Sequence, residues 1–335
     1  MIVLGIETSC DETAVAVVED GRTIRSNLIS SQIDVHRRFG GVVPELASRA
    51  HVEALNPMLD QALQEAGVTS RELDGVAVTV GPGLIGALLV GVAAAKAVSL
   101  ATGAPLIGVN HLEGHVHANF LEHGDPNPPY VCLLVSGGHT MLVHMRDAHS
   151  YEVLGQTVDD AAGEAFDKIA RFMGLGFPGG PVIDELARRG NPDAIRFPRA
   201  MLGSGDYDFS LSGLKTAVIR YVREERAAGR EPDPADLAAS FQEAIVEVQV
   251  EKTVRAAKDR GVGTVLLGGG VVANTRLREA IETAAKPEGI EVVFPSLELC
   301  TDNAAMIAAA GWSRLSRGER SPLDVRADPG LPLSA

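Results

Sequence analysis

The chain is poor in cysteine. Cys10, Cys132 and Cys300 are the only three in 335 residues. An odd and scattered set supports neither a disulfide framework nor a CxxC metal site, and reduced thiols are expected. Positive charge is also scarce: 30 Lys and Arg against 44 Asp and Glu leave a net charge of −14. That argues against broad electrostatic attraction to nucleic acid. Basic residues gather at His36-Arg37-Arg38, Arg188-Arg189 and Arg220 to Arg226, and solvation is the ordinary role of such groups. No basic leader opens the chain, because Met1-Ile2-Val3-Leu4-Gly5-Ile6 runs directly into Glu7. The longest apolar run, Gly83 to Ala95, stops at Lys96 and is too short for a bilayer. A buried helix, a cytoplasmic location and no membrane association are expected.

What is present fits an α/β enzyme. Hydrophobic residues make up 45% of the chain and glycines number 36, and the length suggests two domains. Ile2 to Ile6 and Ala14 to Val18 read as strands, and Asp20-Gly21 as a tight turn into a third. The polar loop Glu7 to Thr13 joins the first two. A similar unit recurs: Val131 to Val135, the turn Ser136-Gly137-Gly138-His139, Thr140 to His144, then Tyr151 to Leu154. This self-similarity suggests a duplicated architecture. Helical patterns cover His51 to Glu65, Asp159 to Met173, Ala235 to Arg255 and Asp302 to Leu315. Gly75 to Val80 and Thr264 to Leu267 read as further strands, and the prolines of 126–129 mark a domain boundary.

The motif richest in chemistry is His111-Leu112-Glu113-Gly114-His115. Residues four apart share a helix face, so both imidazoles can reach one metal ion. A zinc protease places its general base directly after the first histidine, as His-Glu-x-x-His. Leu112 fills that slot, and Glu113 is turned away from the histidine face. Asp302, in Thr301-Asp302-Asn303, is either a helix N-cap or the carboxylate that completes a two-histidine, one-carboxylate set suited to iron(II) or zinc. Ser136-Gly137-Gly138 follows a strand, and its backbone N–H groups can close on a phosphate or carboxylate, or simply make a hairpin. Gly268-Gly269-Gly270 ends another strand, with Asn274 placed to reach a base or ribose. That turn is not GxGxxG, and no P-loop lysine pattern occurs in the chain. Asp160, Glu164 and Asp167 are spaced for one helix face, either solvated or turned to a ligand.

Taken together, the motifs resemble one family nearly end to end. They include Gly5-Ile6-Glu7-Thr8-Ser9-Cys10-Asp11-Glu12-Thr13, Gly40-Gly41-Val42-Val43-Pro44-Glu45-Leu46-Ala47-Ser48-Arg49, Gly81-Pro82-Gly83-Leu84 and the histidine motif. Beyond them come Leu134-Val135-Ser136-Gly137-Gly138-His139-Thr140, Asp159 to Lys168, Phe209 to Thr216, Gly268 to Asn274 and Cys300 to Asn303. The chain is similar to the bacterial branch of the universal tRNA threonylcarbamoyladenosine family, formerly labelled O-sialoglycoprotein endopeptidases.

That resemblance implies the two-lobed, duplicated α/β fold of the actin, sugar-kinase and heat-shock ATPase superfamily. Residues 1–128 would form the N-terminal lobe and 129–302 the C-terminal lobe. The C-terminal helix, 303–325, would pack back on the first lobe, and 318–335 would be a surface tail. The implied reaction transfers threonylcarbamoyl from threonylcarbamoyl-adenylate to N6 of adenosine 37, in tRNAs reading codons that start with A, with release of AMP. His111, His115 and Asp302 would hold one divalent metal ion per subunit, iron(II) ahead of zinc. Leu134, Val135, Ser136, Gly137 and Gly138 would contact the donor through their backbone. Asp167, Gly180, Asp184 and Asn274 would hold its adenylate. Asp11 and Glu12 are the candidates for deprotonating or positioning the adenine amine. Partners implied are tRNA, an inactive paralogue that forms a heterodimer, and a small P-loop ATPase; the N-terminal helices, including His51 to Glu65, are the expected paralogue face. The competing readings are a metalloprotease, a small-molecule kinase of the same superfold and a non-catalytic scaffold. The missing base after His111 argues against the first, and the paired histidines argue against the other two.

Overall fold

A computed structural model describes residues 1–124 and 128–333. The boundary expected at 126–129 lies partly outside the described residues. Among those described, 1–124 and 295–333 form one compact unit and 128–294 a second.

The first unit opens with β1 (Ile2–Glu7), β2 (Glu12–Glu19) and β3 (Thr23–Ser31), joined as antiparallel neighbours. Asp20 and Gly21 both take positive φ, 53° and 68°, the conformation that the two central residues of a type I′ turn require, and Arg22 N closes that turn on Glu19 O at 3.1 Å. A short helix, α1 (Ile33–Arg37), leads to α2 (Pro44–Ala66), then β4 (Gly75–Gly81), α3 (Ile85–Thr102), β5 (Leu106–Asn110) and α4 (His111–His123). The sheet order is β3-β2-β1-β4-β5, with β4 and β5 parallel to β1. Both sheet faces are covered, which explains why β1 and β4 read as continuous apolar runs. Leu4, Ile6, Val15, Val76 and Val78 pack towards α2 and α3. Val3, Ala14, Ala16 and Ala77 pack with the residues of a late helix, Ala304–Ser316.

In the second unit β6 (Tyr130–Val135), β7 (Thr140–Asp147) and β8 (Ser150–Gln156) repeat the antiparallel opening. They are followed by α5 (Ala162–Phe172), α6 (Gly179–Ala187), α7 (Ser212–Ala227), α8 (Pro234–Arg260), β9 (Thr264–Gly268), α9 (Thr275–Ala285) and β10 (Glu291–Val293). The order β8-β7-β6-β9-β10 matches that of the first sheet, strand for strand. The chain then returns to the first unit through α10 (Leu297–Cys300) and α11 (Ala304–Ser316).

Several sequence expectations are revised. Residues 295–302 belong with the first unit and not the second, because Leu299 joins its apolar core and Ser296 N donates to Glu122 Oε2 at 2.6 Å. α2 starts at Pro44, seven residues before His51, because proline suits a first helical turn. α3 extends past Lys96, whose ammonium donates to Val325 O at 2.6 Å. At 18 residues α3 is, among the described residues, the one helix long and apolar enough to cross a membrane by length and composition. It is half-buried and not buried: Ala87, Leu88, Val92 and Ala95 face the core, while Leu89 and Leu100 are exposed. The described part of the tail, 318–333, is tied to the first unit by backbone hydrogen bonds. Ser321 N donates to Leu106 O and Asp328 N to Val80 O, both at 2.8 Å, and Leu333 is buried.

Candidate functional site

In the first unit, β5 delivers Asn110, whose Oδ1 accepts from Leu112 N at 2.9 Å and caps α4. The helix therefore begins at His111 and places His115 on the same face, with ring centroids 4.7 Å apart. On α11 the N-cap is Asn303, accepting from Met306 N at 2.9 Å, so capping does not consume Asp302. Its Oδ1 lies 3.2 Å from His115 Nε2 and 3.5 Å from His111 Nε2. The ligand atoms of the three residues lie within 4.8 Å of one another. His115 is 1% exposed and neither ring nitrogen has a hydrogen-bond partner. A buried imidazole left this way is costly, and a cation at Nε2 would satisfy one of its nitrogens. Two imidazoles and a carboxylate are a donor set that fits a divalent metal. Glu113 stays off this face: its carboxylate lies 3.7 Å from the Arg314 guanidinium, and burial pushes it up to about 7 despite that charge.

The surroundings are strongly coupled. Burial alone would lower His111, but the Asp302 and Glu7 carboxylates outweigh it and raise the imidazole to about 9. Burial would raise Glu7, but His111 holds it below the ordinary glutamate value. His115 is lowered by burial, and the charge on His111 adds to that. Burial, then Asp302 and Asp11, push Glu12 up to about 9. Asp11 and Glu12 leave a loop pinned at three backbone points: Leu84 N donates to Ser9 O at 2.8 Å, His51 Nε2 to Cys10 O at 2.9 Å, and Gln32 N to Asp11 O at 3.0 Å. Glu7, fully buried and 3.0 Å from His111 Nδ1, is a site residue the sequence reasoning missed. A carboxylate ending an otherwise apolar strand was the available signal.

In the second unit, contacts link the glycine turns into a ring. Ser136 O accepts from Gly163 N at 3.1 Å, at the start of α5. Asp167, further along α5, accepts from Gly179 N at 2.6 Å, at the start of α6. Asp184 on α6 accepts from Thr275 Oγ1 at 2.9 Å, at the start of α9. The segment before α9 returns to Ser136: a Cβ on Gly269 would lie 2.3 Å from Val135 O and 3.3 Å from Ser136 Cβ. A Cβ at Gly137, Gly138, Gly180 or Gly270 would instead meet nothing within 4 Å, so these backbones border open space that a ligand can enter. Asp184 Oδ1 is buried without a hydrogen-bond partner, an acceptor available to a hydroxyl. Leu134 and Val135 have buried side chains and can offer only backbone. Asn274 caps α9 through Leu277 N at 2.9 Å, and its Nδ2 donates to Gln242 Oε1 at 2.7 Å, leaving one amide hydrogen uncommitted.

The acidic helix face expected over 159–173 is absent, because α5 begins only at Ala162. Asp159 accepts from Ser210 Oγ and Ser212 Oγ, both at 2.6 Å, and from Leu211 N at 2.7 Å. Those bonds overcome burial and pull it down to about 2. Asp160 binds the Lys168 and Lys215 ammoniums. Both are structural ties. Gly81-Pro82-Gly83-Leu84-Ile85-Gly86 has the strand–GxGxxG–helix spacing of a dinucleotide turn. The tail fills it: a Cβ on Gly81 would sit 1.9 Å from Asp328 O, and Gly83 N donates to Pro329 O.

Two solved structures align along almost the whole chain. HypF from T. kodakarensis matches with a TM-score of 0.64 at 13% identity, covering 94% of this chain and 48% of that one. The Acidaminococcus fermentans (R)-2-hydroxyglutaryl-CoA dehydratase component A matches with a TM-score of 0.57 at 14% identity, covering 94% and 99%. At these identities they define the class: a duplicated α/β protein of the actin-like ATPase fold, here carrying a two-histidine, one-aspartate cluster. The family model for tRNA N6-adenosine threonylcarbamoyltransferase matches residues 23–309. The proteins of that name from Clostridium perfringens strain SM101 and Clostridium botulinum strain Hall are 53% and 52% identical over 99% of this chain and 98% and 97% of theirs. The chain belongs to the tRNA N6-adenosine threonylcarbamoyltransferase family, enzymes that transfer a threonylcarbamoyl group to N6 of adenosine in tRNA.

Proposed function

We propose that the donor is threonylcarbamoyl-adenylate, that the acceptor is adenosine 37 of tRNAs reading codons that start with A, and that AMP leaves. An exocyclic amine is a weak nucleophile, but a carbamoyl–phosphate anhydride is already activated. The protein therefore needs chiefly to orient the two and to stabilise charge on the carbamoyl oxygen. His111, His115 and Asp302 would hold a divalent ion, iron(II) ahead of zinc. When bound, such an ion supplies Lewis-acid and template chemistry at the threonyl end of the donor. The observation that carries this reading is the buried His115, whose Nε2 faces Asp302 at 3.2 Å without a hydrogen-bond partner.

Ser136, Gly137 and Gly138 present backbone N–H groups to the donor phosphate, with Leu134 and Val135 contributing backbone only. Asp167, Gly180, Asp184 and Asn274 hold the adenylate, and the orphan Oδ1 of Asp184 suits a ribose hydroxyl. Asp11 and Glu12 position or deprotonate the adenine amine. At about 9, Glu12 carries its proton at neutral pH, so acting as a base requires positive charge nearby when substrate binds. The protein works in the cytoplasm with an inactive paralogue and a small P-loop ATPase. Val52 on α2 and Ile85 and Leu89 on α3, exposed by 62%, 47% and 53%, favour these helices as the paralogue face.

The test is a transfer assay with threonylcarbamoyl-adenylate, unmodified tRNA and the partner proteins, reading modified nucleoside by mass spectrometry. Wild type should form product, and His111→Ala/His115→Ala should form little. No wild-type product with intact donor and an assembled complex would refute the donor assignment.

A further inference from the structure

We infer that Glu7 is a positioning residue for the metal centre, holding His111 with Nδ1 protonated so that Nε2 is presented towards Asp302. This rests on the reading of His111, His115 and Asp302 as metal ligands. Glu7 ends β1 and is 0% exposed. Its Oε1 accepts from Ser9 N at 2.5 Å, and its Oε2 accepts from Thr79 Oγ1 at 2.6 Å and faces His111 Nδ1 at 3.0 Å. An ionised carboxylate only accepts hydrogen bonds, so the imidazole nitrogen facing it must donate. Ser9 Oγ, 3.2 Å from the same nitrogen, then acts as a second acceptor.

Burying a carboxylate is costly unless it is paired and hydrogen-bonded, and Glu7 has both kinds of partner. A carboxylate behind a ligating histidine fixes the ring's tautomer and orientation and raises its basicity. The two histidines differ sharply in this respect. His111 has Glu7 and Ser9 behind it, whereas His115 Nδ1 has no hydrogen-bond partner. His111 is thus the pre-oriented ligand of the pair, and loss of Glu7 should act through it.

The experiment measures Zn2+ affinity of chelator-stripped full-length protein against a chromophoric competitor, for wild type, Glu7→Gln, Thr79→Val and His111→Ala/His115→Ala. In Glu7→Gln the amide can turn its NH2 towards His111 and favour the wrong tautomer. Affinity should fall about 10- to 100-fold, the range for loss of such a supporting group. Thr79→Val removes a neighbour of Glu7 but keeps the carboxylate, and should bind Zn2+ within about threefold of wild type while losing thermal stability. Independently of any variant, the Zn2+-loaded wild type labelled with 15N-histidine should show His111 as an Nδ1–H ring with a slowly exchanging, low-field proton. Folded Glu7→Gln with wild-type affinity would overturn the inference, as would an Nε2–H assignment for His111. Wild type that binds no Zn2+, or binding undiminished in the double alanine variant, would instead overturn the metal reading beneath it.

Discussion

Each residue of the histidine cluster has a separable task. If Glu12 works on the amine, Glu12→Gln should lower kcat by about 10²-fold or more, the usual worth of a positioned acid or base, with donor affinity little changed. Single-turnover kinetics beside donor binding would check this, and an unchanged rate would remove Glu12 from the chemistry. Metal binding should also be visible in stability. At a free Zn2+ concentration 100 times Kd, wild type should gain about 2.7 kcal/mol, and His111→Ala/His115→Ala nothing, as read by denaturant unfolding. His51 provides the pH handle. Burial lowers its pKa below the ordinary 6.5, and it is fixed as a neutral ring between Thr13 Oγ1 at 2.7 Å and Cys10 O at 2.9 Å. A group held neutral in the fold but free to protonate when unfolded favours unfolding as pH drops. Stability should therefore decline as pH falls below about 6.5, and His51→Gln should flatten that decline in urea titrations at pH 7.5 and 5.5.

At the scale of elements, boundaries decide which side chains are free to act. Asn303 takes the cap of α11 and leaves Asp302 to the histidines. Asn303→Ala should cost about 0.5–2 kcal/mol of stability and weaken Zn2+ binding together with it, since Asp302 would lose its fixed neighbour. The hairpins and the repeated sheet were legible because local chemistry sets them: Asp20-Gly21 makes its own turn, and the apolar runs sort themselves into strands. The helix at His111 was legible because its spacing is the signal. What escaped depends on partners distant in sequence. Asp160 looked like a helix-face acid, yet Lys215, 55 residues away, fixes it as a strut. Glu7 was read as loop polarity, because nothing local shows that it meets Thr79 and His111, 72 and 104 residues on. The length of α3 was underestimated because Lys96 looked like a stop, whereas its ammonium reaches the backbone of the tail.

For the molecule as a whole, charge and duplication set the terms. A net charge of −14 is a poor start for an enzyme that handles tRNA, because phosphate contacts from Lys and Arg supply most of the affinity for a polyanion. Many of the basic side chains here are already committed: Arg226 to Glu231, Arg230 to Glu225, Arg276 to Glu243. The isolated chain should therefore turn over weakly with donor and tRNA, and adding the proposed partners, a paralogue and a small ATPase, should raise the yield of modified nucleoside at least several-fold. Equal yields would place the tRNA surface on this chain alone. Close packing offers a second test. A Cβ on Gly5 would lie 2.2 Å from Ala304 O, so Gly5→Ala should force α11 off the sheet and cost about 1–3 kcal/mol or more, measurable by chemical unfolding.

The return of residues 295–333 to the first unit has a temporal meaning as well. During synthesis the stretch 128–294 is complete before the protein's opening residues have all their partners. The β1–β5 sheet must wait for α11 to cover its Ala14, Ala16 and Ala77 face. Asn110, which starts the histidine helix, must wait for the tail carbonyls of Leu331 and Pro332 that its Nδ2 binds at 3.4 and 3.0 Å. Domains generally form as units while the chain is being made. Here the later-made unit can close first, and Asp302 reaches His111 and His115 only after residues 128–294 have been made. A nascent chain thus cannot bring Asp302 to the two histidines early, and a ribosome stalled before α11 would leave an open apolar sheet face for chaperones to hold.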